Sequence, residues 1–152
     1  MYIFFRLTYP SKLDKVIEAD QHQKVLLKFV VRDTVSGKLT KVHQAFVKVT
    51  HLSSRREIIF VAEADSNNVY KFDLDVTTNS KDFGHINGKY KVEVIIGDAA
   101  IVNPTLWHLA DISFTFPDGS NDTPAQDYTF KVIIFVCFFL ILVMNLIYSK
   151  LY

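Results

Sequence analysis

The chain has 152 residues, with 17 lysines and arginines against 16 aspartates and glutamates and a formal net charge of +1. A charge balance this even supplies no long-range field that would attract nucleic acid or an anionic substrate. Thirteen phenylalanines and seven tyrosines, against five glycines and four prolines, indicate a packed fold rather than a disordered tether.

The first half of the chain predicts strands divided by polar segments. Residues 25–31 are apolar almost without interruption, which predicts a strand buried on both faces, and residues 58–62 repeat that character. Residues 11–23 are charged and polar without a clean apolar stripe, and they predict a loop with at most one helical turn. The strands predicted in this half cover residues 2–9, 25–31, 42–50 and 58–62.

The second half alternates more regularly. Over residues 69–75, aromatic and aliphatic side chains alternate with charged ones, and this period-two pattern places Phe72 at the centre of a buried face. The same alternation recurs over residues 90–96 and 112–116. Asn87-Gly88, just before the second of these strands, is the strongest hairpin signal in the chain.

About seven short strands separated by turn signals, with no helical period between them, predict an all-β fold, an antiparallel immunoglobulin-like β-sandwich. The sequence Gly88-Lys-Tyr90, which opens a late strand, resembles the tyrosine corner of immunoglobulin-like domains. No repeat of 20 to 50 residues is visible. We therefore expect one sandwich domain over residues 1–117.

The C-terminal part predicts a membrane anchor. Residues 132–148 contain no charge, glycine or proline, and as a helix they would extend about 25 Å, enough for a short bilayer span. Lys131 and Lys150 bracket the run, and a soluble helix apolar on every side would need a much larger protein around it. The single cysteine, Cys137, lies inside the run, so no disulfide can form within the chain. We expect a polar linker at 118–131, a single transmembrane helix at 132–148 and a short tail at 149–152.

A search for catalytic and metal-binding patterns finds no phosphate loop, nucleophile elbow or zinc-binding helix motif. Asp73 and Asp75 have the spacing with which two carboxylates on one strand face hold a divalent ion, although such acidic pairs at strand ends are common. Asp65 begins a segment that starts like a calcium loop but lacks the required glycine. The five histidines, at positions 22, 43, 51, 85 and 108, have no metal spacing. We expect no catalytic residue, no metal and no cofactor.

Two asparagines near the C-terminus carry a modification or packing signal. Asn121 opens the sequon Asn-Asp-Thr in the polar linker, where a lumenal location would make it a glycosylation acceptor, although a poor one because proline follows. Asn145 is the strongly polar residue of the apolar run. It fits either the membrane interface or a hydrogen bond to a neighbouring helix, and its place near the end of the run favours the interface.

Several stretches taken together carry a family resemblance. They are residues 18–24 (EADQHQK), 43–47 (HQAFV), 57–65 (EIIFVAEAD), 69–75 (VYKFDLD), 95–99 (IIGDA), 103–107 (NPTLW) and 110–112 (ADI). In this order they closely resemble the membrane-proximal lumenal domain of the ribophorin II family, over about residues 9–117. Ala64 departs from the family pattern, which has a proline before the aspartate at this point.

The resemblance implies a lumenal β-sandwich and a role as a non-catalytic accessory subunit, or a fragment of one, of the endoplasmic reticulum oligosaccharyltransferase. Such a subunit supports N-linked glycosylation by binding and assembly, while another subunit transfers the oligosaccharide. The expected partners are the other subunits and the lipid bilayer, with no nucleic acid and no small-molecule substrate. We expect a single-pass protein of the endoplasmic reticulum membrane with its N-terminal domain in the lumen. The family has earlier lumenal domains and several membrane helices, where this chain has one apolar run.

Two other functions fit parts of the sequence. The chain fits a single-pass immunoglobulin-like surface receptor or adhesion module, although such sandwiches usually contain a disulfide that Cys137 cannot supply. It also fits a membrane-bound glycosyl transferase that uses Asp73 and Asp75 to hold a metal ion, for which metal-dependent turnover would be required.

Overall fold

The computed structural model describes residues 5–99, 101, 104–117 and 119. These residues contain eight strands and no helix. The strands are β1 (Ile17–Ala19), β2 (Lys24–Val30), β3 (Gln44–His51), β4 (Glu57–Val61), β5 (Glu63–Ala64), β6 (Val69–Asp75), β7 (Gly88–Gly97) and β8 (Thr105–Phe114). The all-β prediction is confirmed for this part of the chain.

The strands form two sheets. The front sheet has the order β1-β8-β7-β3-β4, and the back sheet has the order β2-β6-β5. All pairs are antiparallel except β1 and β8, which run side by side in parallel with Ile17 opposite Ile112. Since both sheets contribute to one buried cluster, they are arranged as a sandwich.

The predicted apolar run at 132–148 and nearly all of the predicted linker at 118–131 lie outside the described residues. Within the described ranges, no segment forms a helix long and apolar enough to cross a bilayer.

Period-two alternation supplies most of the core. Tyr70, Phe72 and Leu74 point inward from β6, as predicted, and the inward residues of β3 are Ala45, Val47 and Val49. The inward residues of β7 and of the strand end at β8 are Tyr90, Val92, Val94, Ile112 and Phe114, with Phe116 just beyond β8. The predicted inward faces of residues 69–75, 90–96 and 112–116 are therefore confirmed.

The two strands predicted to be buried on both faces are not. β2 alternates between exposed and half-buried positions, and its Leu26 side chain is 53% exposed. In β4 only Ile58 is buried, while Ile59 and Val61 face solvent. The reason is that each sheet of the sandwich has only one face against the other sheet, so the outward side chains of β2 and β4 meet solvent even though they are apolar.

The N-terminal segment also differs from the prediction. Within the predicted strand at 2–9, residues 5–8 are irregular and Tyr9 lies in a turn, while residues 2–4 are outside the described part. Leu13 instead donates a backbone hydrogen bond to Leu109, and Leu7 packs against the core. The predicted loop at 11–23 contains β1, whose three residues are too few to show a period.

Tyr90 makes the hydrogen bond that the resemblance to a tyrosine corner predicts. The Tyr90 hydroxyl donates a hydrogen bond to the carbonyl oxygen of Ile86 at 2.7 Å, which fastens the connection at 76–87 to the start of β7. Gly88 takes a φ of 139°, and a Cβ there would lie 2.7 Å from Nε2 of His51. The turn therefore requires glycine for both its backbone angle and its contact with His51.

The strand register places the connections at two opposite ends. Phe114 at the end of β8 pairs with Gly88, and His51 at the end of β3 pairs with Tyr90. The connections at 52–56 and 76–87 therefore lie at the end where the chain leaves β8. Residues 98–104 lie at the opposite end.

Candidate interaction surfaces

The outer face of the front sheet carries a row of apolar side chains, which we call the front row: Leu106, Ile95, Phe46 and Val61. Leu106 pairs with Ile95, Ile95 with Phe46, and Phe46 with Val61, so the four side chains cross four neighbouring strands. Val61 is 67% exposed and Leu106 is 57% exposed. Because Val61 and Leu106 face solvent rather than the core, the front row is available to a partner.

A network of ion pairs lies beside the front row. The Lys91 ammonium contacts Oε1 of Glu93 at 2.8 Å, and the Lys48 ammonium contacts Oε2 at 3.1 Å. Lys48 also lies 3.4 Å from Glu57 on the neighbouring strand. The contact between Lys48 and Oε2 is an ion pair whose angle falls outside hydrogen-bond geometry.

Glu93 is an unusual member of this network because it faces outward yet is buried. Its side chain is 5% exposed. Burial alone would raise the pKa of its carboxyl, but the neighbouring ammonium groups of Lys91 and Lys48 outweigh burial and lower that pKa. For Lys48, burial opposes the charged form, and the nearby Glu93 and Glu57 carboxylates outweigh it and raise the pKa of the amine. The charges in the middle of this outer face are therefore largely removed from water and are neutralised by one another.

An open cleft of about 420 Å³ lies where β3 begins and where the chain crosses from β4 to β5. Its apolar walls include Phe46 and Val61 of the front row and Tyr70 of the back sheet. Lys41, His43 and Glu63 also line it. The cleft therefore extends the front row around the side of the sandwich.

Of the two aspartates considered as metal ligands, Asp75 has structural partners. Asp75 forms an ion pair with Lys24 at 3.2 Å and accepts the Thr78 backbone N–H, and the backbone bond is the main reason that its pKa is lowered. Asp73 lies two residues earlier on the same outward face, opposite Leu26. No group of three or more metal-ligating side chains is brought together within the described part of the chain.

Asp65 closes the turn between β5 and β6. Its carboxylate accepts backbone N–H groups from Asn67 and Val69 and pairs with Lys71 at 2.9 Å. The Lys71 hydrogen bond and the two backbone bonds lower the pKa of Asp65 to about 2. This carboxylate shapes a turn, as short polar side chains in such clusters do.

The histidines lie far apart in the fold. His43 precedes β3 and contacts Asp98 through Nδ1 at 2.8 Å, whereas His51 is buried at the other end of the strand. His108 contacts Asp111 at 2.9 Å on β8. His22 lies in the connection between β1 and β2, and His85 lies in the connection to β7. The sequon at Asn121, and Asn145, lie outside the described residues.

Sequence reasoning missed the ion-pair network and the front row. Lys48, Glu57 and Glu93 occupy outward positions of three strands, where charged side chains are ordinarily solvated. Their contacts depend on cross-strand register, which a single sequence does not reveal. The one available signal was the poor alternation of residues 42–50, where Phe46 takes an outward position.

Comparison with known proteins identifies the domain. A family model for the ribophorin II third domain matches residues 5–114, which extend from the first described residue to the end of β8. The Caenorhabditis elegans protein named dolichyl-diphosphooligosaccharide--protein glycosyltransferase subunit 2 is 29% identical over 114 residues, which cover 75% of this chain and 40% of that protein.

A rice protein of the same name, from Oryza sativa subsp. japonica, is 32% identical over 108 residues, which cover 71% of this chain and 15% of that protein. The chain thus spans less than half the length of either relative. Because the family model covers well over half of the chain, the chain belongs to the ribophorin II family, with its described sandwich matching that family's third domain.

Proposed function

We propose that this chain is a non-catalytic subunit, or part of one, of the oligosaccharyltransferase of the endoplasmic reticulum. The observation that carries the proposal is the family match over residues 5–114, which coincides with the whole described sandwich. Both relatives are named as a subunit of a dolichyl-diphosphooligosaccharide–protein glycosyltransferase. On this proposal the chain works by binding and performs no chemistry of its own.

The outer face of the front sheet supports a binding role. A row of exposed apolar side chains lies beside a charged network that is already desolvated and neutralised by its own members. Covering such a face costs less than covering isolated charges, because the ion pairs are formed before a partner arrives.

The proposed organisation has four parts: a lumenal domain at 1–117, a polar linker at 118–131, a transmembrane helix at 132–148 and a cytosolic tail at 149–152. An apolar run of this length suits the bilayer of the endoplasmic reticulum, whose hydrocarbon core is about 27 Å thick. The chain leaves β8 at the same end as the connections at 52–56 and 76–87. On this proposal that end of the sandwich faces the membrane.

The sandwich itself is proposed to be immunoglobulin-like. Two features support this: the tyrosine corner at Tyr90, and the parallel pairing of a short first strand with the last strand. Neither requires a disulfide, which agrees with the position of Cys137 outside residues 1–117.

Two measurements on the full chain in microsomes test the proposal. The lumenal domain should resist added protease until detergent opens the membrane, and mild-detergent extracts should contain the chain together with oligosaccharyltransferase subunits. A known cytosolic-facing microsomal protein serves as the digestion control. Digestion of the domain in intact microsomes would refute the orientation. Protection without co-purification would refute membership of the complex.

A further inference from the structure

The sandwich has two long edge strands with different outward residues. β4 pairs only with β3, and β2 pairs only with β6, among the described residues. An unpaired edge displays backbone N–H and C=O groups that bind a further strand, and natural proteins commonly guard such edges with lysine, proline or a bulge.

The backbone groups that face outward from β4 follow from its pairing with β3. Ala62 donates to Ala45 at 2.9 Å, and His51 donates to Arg56, also at 2.9 Å. Residues of an antiparallel strand alternate between bonding inward and outward. Glu57, Ile59 and Val61 therefore direct their N–H and C=O groups away from β3, toward the free edge.

The same reasoning applies to β2. Val76 donates to Gln23 at 3.5 Å, just before the paired residues of β2 and β6. Because Gln23 bonds toward β6, every second residue after it does the same, and the residues between them direct their N–H and C=O groups toward the free edge of β2. These outward-bonding residues are Lys24, Leu26, Lys28 and Val30. The two edges thus have the same backbone geometry.

They differ in their side chains. β2 carries Lys24 and Lys28 among its four outward residues, which is the usual protection against strand addition. β4 carries no lysine, proline or bulge, and its outward residues after Glu57 are Ile59, 41% exposed, and Val61, 67% exposed. Beyond Glu57 at its start, the β4 edge is therefore apolar and unguarded.

A cleft adjoins the unguarded edge. Val61 and Phe46 form part of its wall, and the cleft opens at the end of β4 toward the back sheet. Recognition by strand addition combines backbone hydrogen bonds along an edge with a pocket for a side chain of the added strand. β4 and the cleft supply both features side by side.

We propose that an extended segment of another oligosaccharyltransferase subunit adds to β4 as a sixth strand of the front sheet. Its backbone bonds to Ile59 and Val61, its outward side chains beside these two are apolar and uncharged, and a further apolar side chain enters the cleft. The inference rests on the proposed function, because the partner is taken from the same complex.

Proline substitution at matched positions tests the β4 edge. Proline is tolerated on an edge strand where the missing N–H faces outward, so Ile59→Pro removes an outward donor without removing a bond to β3. Leu26→Pro makes the same change on the guarded edge. In full chains expressed in microsomes, Ile59→Pro should lower co-purification with the subunits at least tenfold, and Leu26→Pro should leave it unchanged. Resistance of both variants to limited proteolysis after detergent has opened the membrane checks that they remain folded.

A second variant and a second measurement keep the test decisive if Ile59→Pro unfolds. Val61→Lys preserves the backbone and installs the guard that β2 already has, so it should also lower co-purification at least tenfold. Hydrogen exchange with fragmentation mass spectrometry should show the Ile59 and Val61 amides at least tenfold slower in the purified complex than in the free chain. The Leu26 amide should not change.

The possible outcomes separate the two proposals. Failure of the wild-type chain to co-purify would refute the proposed function and this inference with it. Normal co-purification of Val61→Lys, or equal exchange of the β4 amides in the free and assembled states, would refute the inference and leave the function standing. Protection of β4 that rises with the concentration of the chain alone would show that a second copy occupies the edge, which also contradicts the proposal.

Discussion

The Tyr90 hydroxyl donates a hydrogen bond of 2.7 Å to the carbonyl oxygen of Ile86, and both residues are almost completely buried. The bond lies within an aromatic cluster, since the Phe83 ring packs edge-on against Tyr90 with centroids 5.4 Å apart. The irregular connection at 76–87 is therefore held from inside the core rather than by regular secondary structure.

Tyr90→Phe should lower the free energy of unfolding of residues 1–117 by about 1–3 kcal/mol. The substitution keeps the ring but leaves the buried carbonyl of Ile86 without this donor. Urea titration measures the loss. Tyr9→Phe removes the same hydroxyl from a ring that is 60% exposed and should change stability by less than about 0.5 kcal/mol. Equal effects of the two substitutions would contradict a structural role for the corner.

Phe83→Ala should cost about 3–5 kcal/mol in the same titration, as expected for a large aromatic side chain removed from a core. Phe83 is fully buried and packs against the rings of Phe114 and Phe116, each at a centroid distance of 5.3 Å. Phe5→Ala, at a site that is 46% exposed, is the control. A loss below about 1 kcal/mol for Phe83→Ala would indicate that the connection is not part of the core.

Stability should fall as the pH drops below about 6.5, through His51. Burial lowers the pKa of His51 in the fold, partly opposed by its bond to the Asn87 backbone, so the unfolded chain binds a proton at a higher pH than the folded one. The stabilisation is complete above the unfolded pKa and is lost on acidification. Urea midpoints at pH 7.5 and 5.5 measure the decrease, and His51→Gln should make it smaller. The Asp65 carboxyl, with a pKa of about 2, does not titrate in this range. If the urea midpoint of His51→Gln fell between pH 7.5 and 5.5 by as much as that of the unsubstituted domain, the assignment to His51 would be contradicted.

Strand alternation predicted the inward faces of β6, β7 and the end of β8 because each has one buried and one solvated face. For β2 and β4 the continuous apolar run was misleading, because it predicted burial on both faces. Such a run looks alike whether one face or both faces of the strand are covered, and only the packing of the two sheets distinguishes these cases. Phe83 lies in an irregular connection whose sequence shows no hydrophobic periodicity, so its place in the core could not be predicted from the sequence.

The front-face network was equally hidden, because it joins residues of three strands. Lys48 meets Glu93 and Glu57 only after β3 pairs with β7 on one side and β4 on the other. The tyrosine corner, by contrast, was readable because all its parts lie within a few residues of the Asn87-Gly88 turn. Local features were predictable, and features that depend on register were not.

Thr50→Val should raise the free energy of unfolding by about 1 kcal/mol. Thr50 is 4% exposed, and its hydroxyl has no hydrogen-bond partner among the described residues. Valine has nearly the same shape and removes the cost of burying that group. Thr77→Val is the control, because the Thr77 hydroxyl donates to the Gln21 carbonyl at 2.6 Å and its loss should destabilise the domain by about 0.5–1.5 kcal/mol. A destabilised Thr50→Val would reveal a partner for the hydroxyl.

The parallel pairing of β1 and β8 also determines how the domain resists force. The chain enters the β1–β8 pair at the start of β1 and leaves it at the opposite end of the pair, beyond Phe114. Tension between the chain on either side therefore pulls the two strands past each other, so that the pairs from Ile17–Ile112 to Ala19–Phe114 are loaded in shear together. An antiparallel terminal pair pulled from one end would instead open one bond at a time. The sandwich can therefore transmit tension along the direction of its strands without its terminal strands separating one bond at a time.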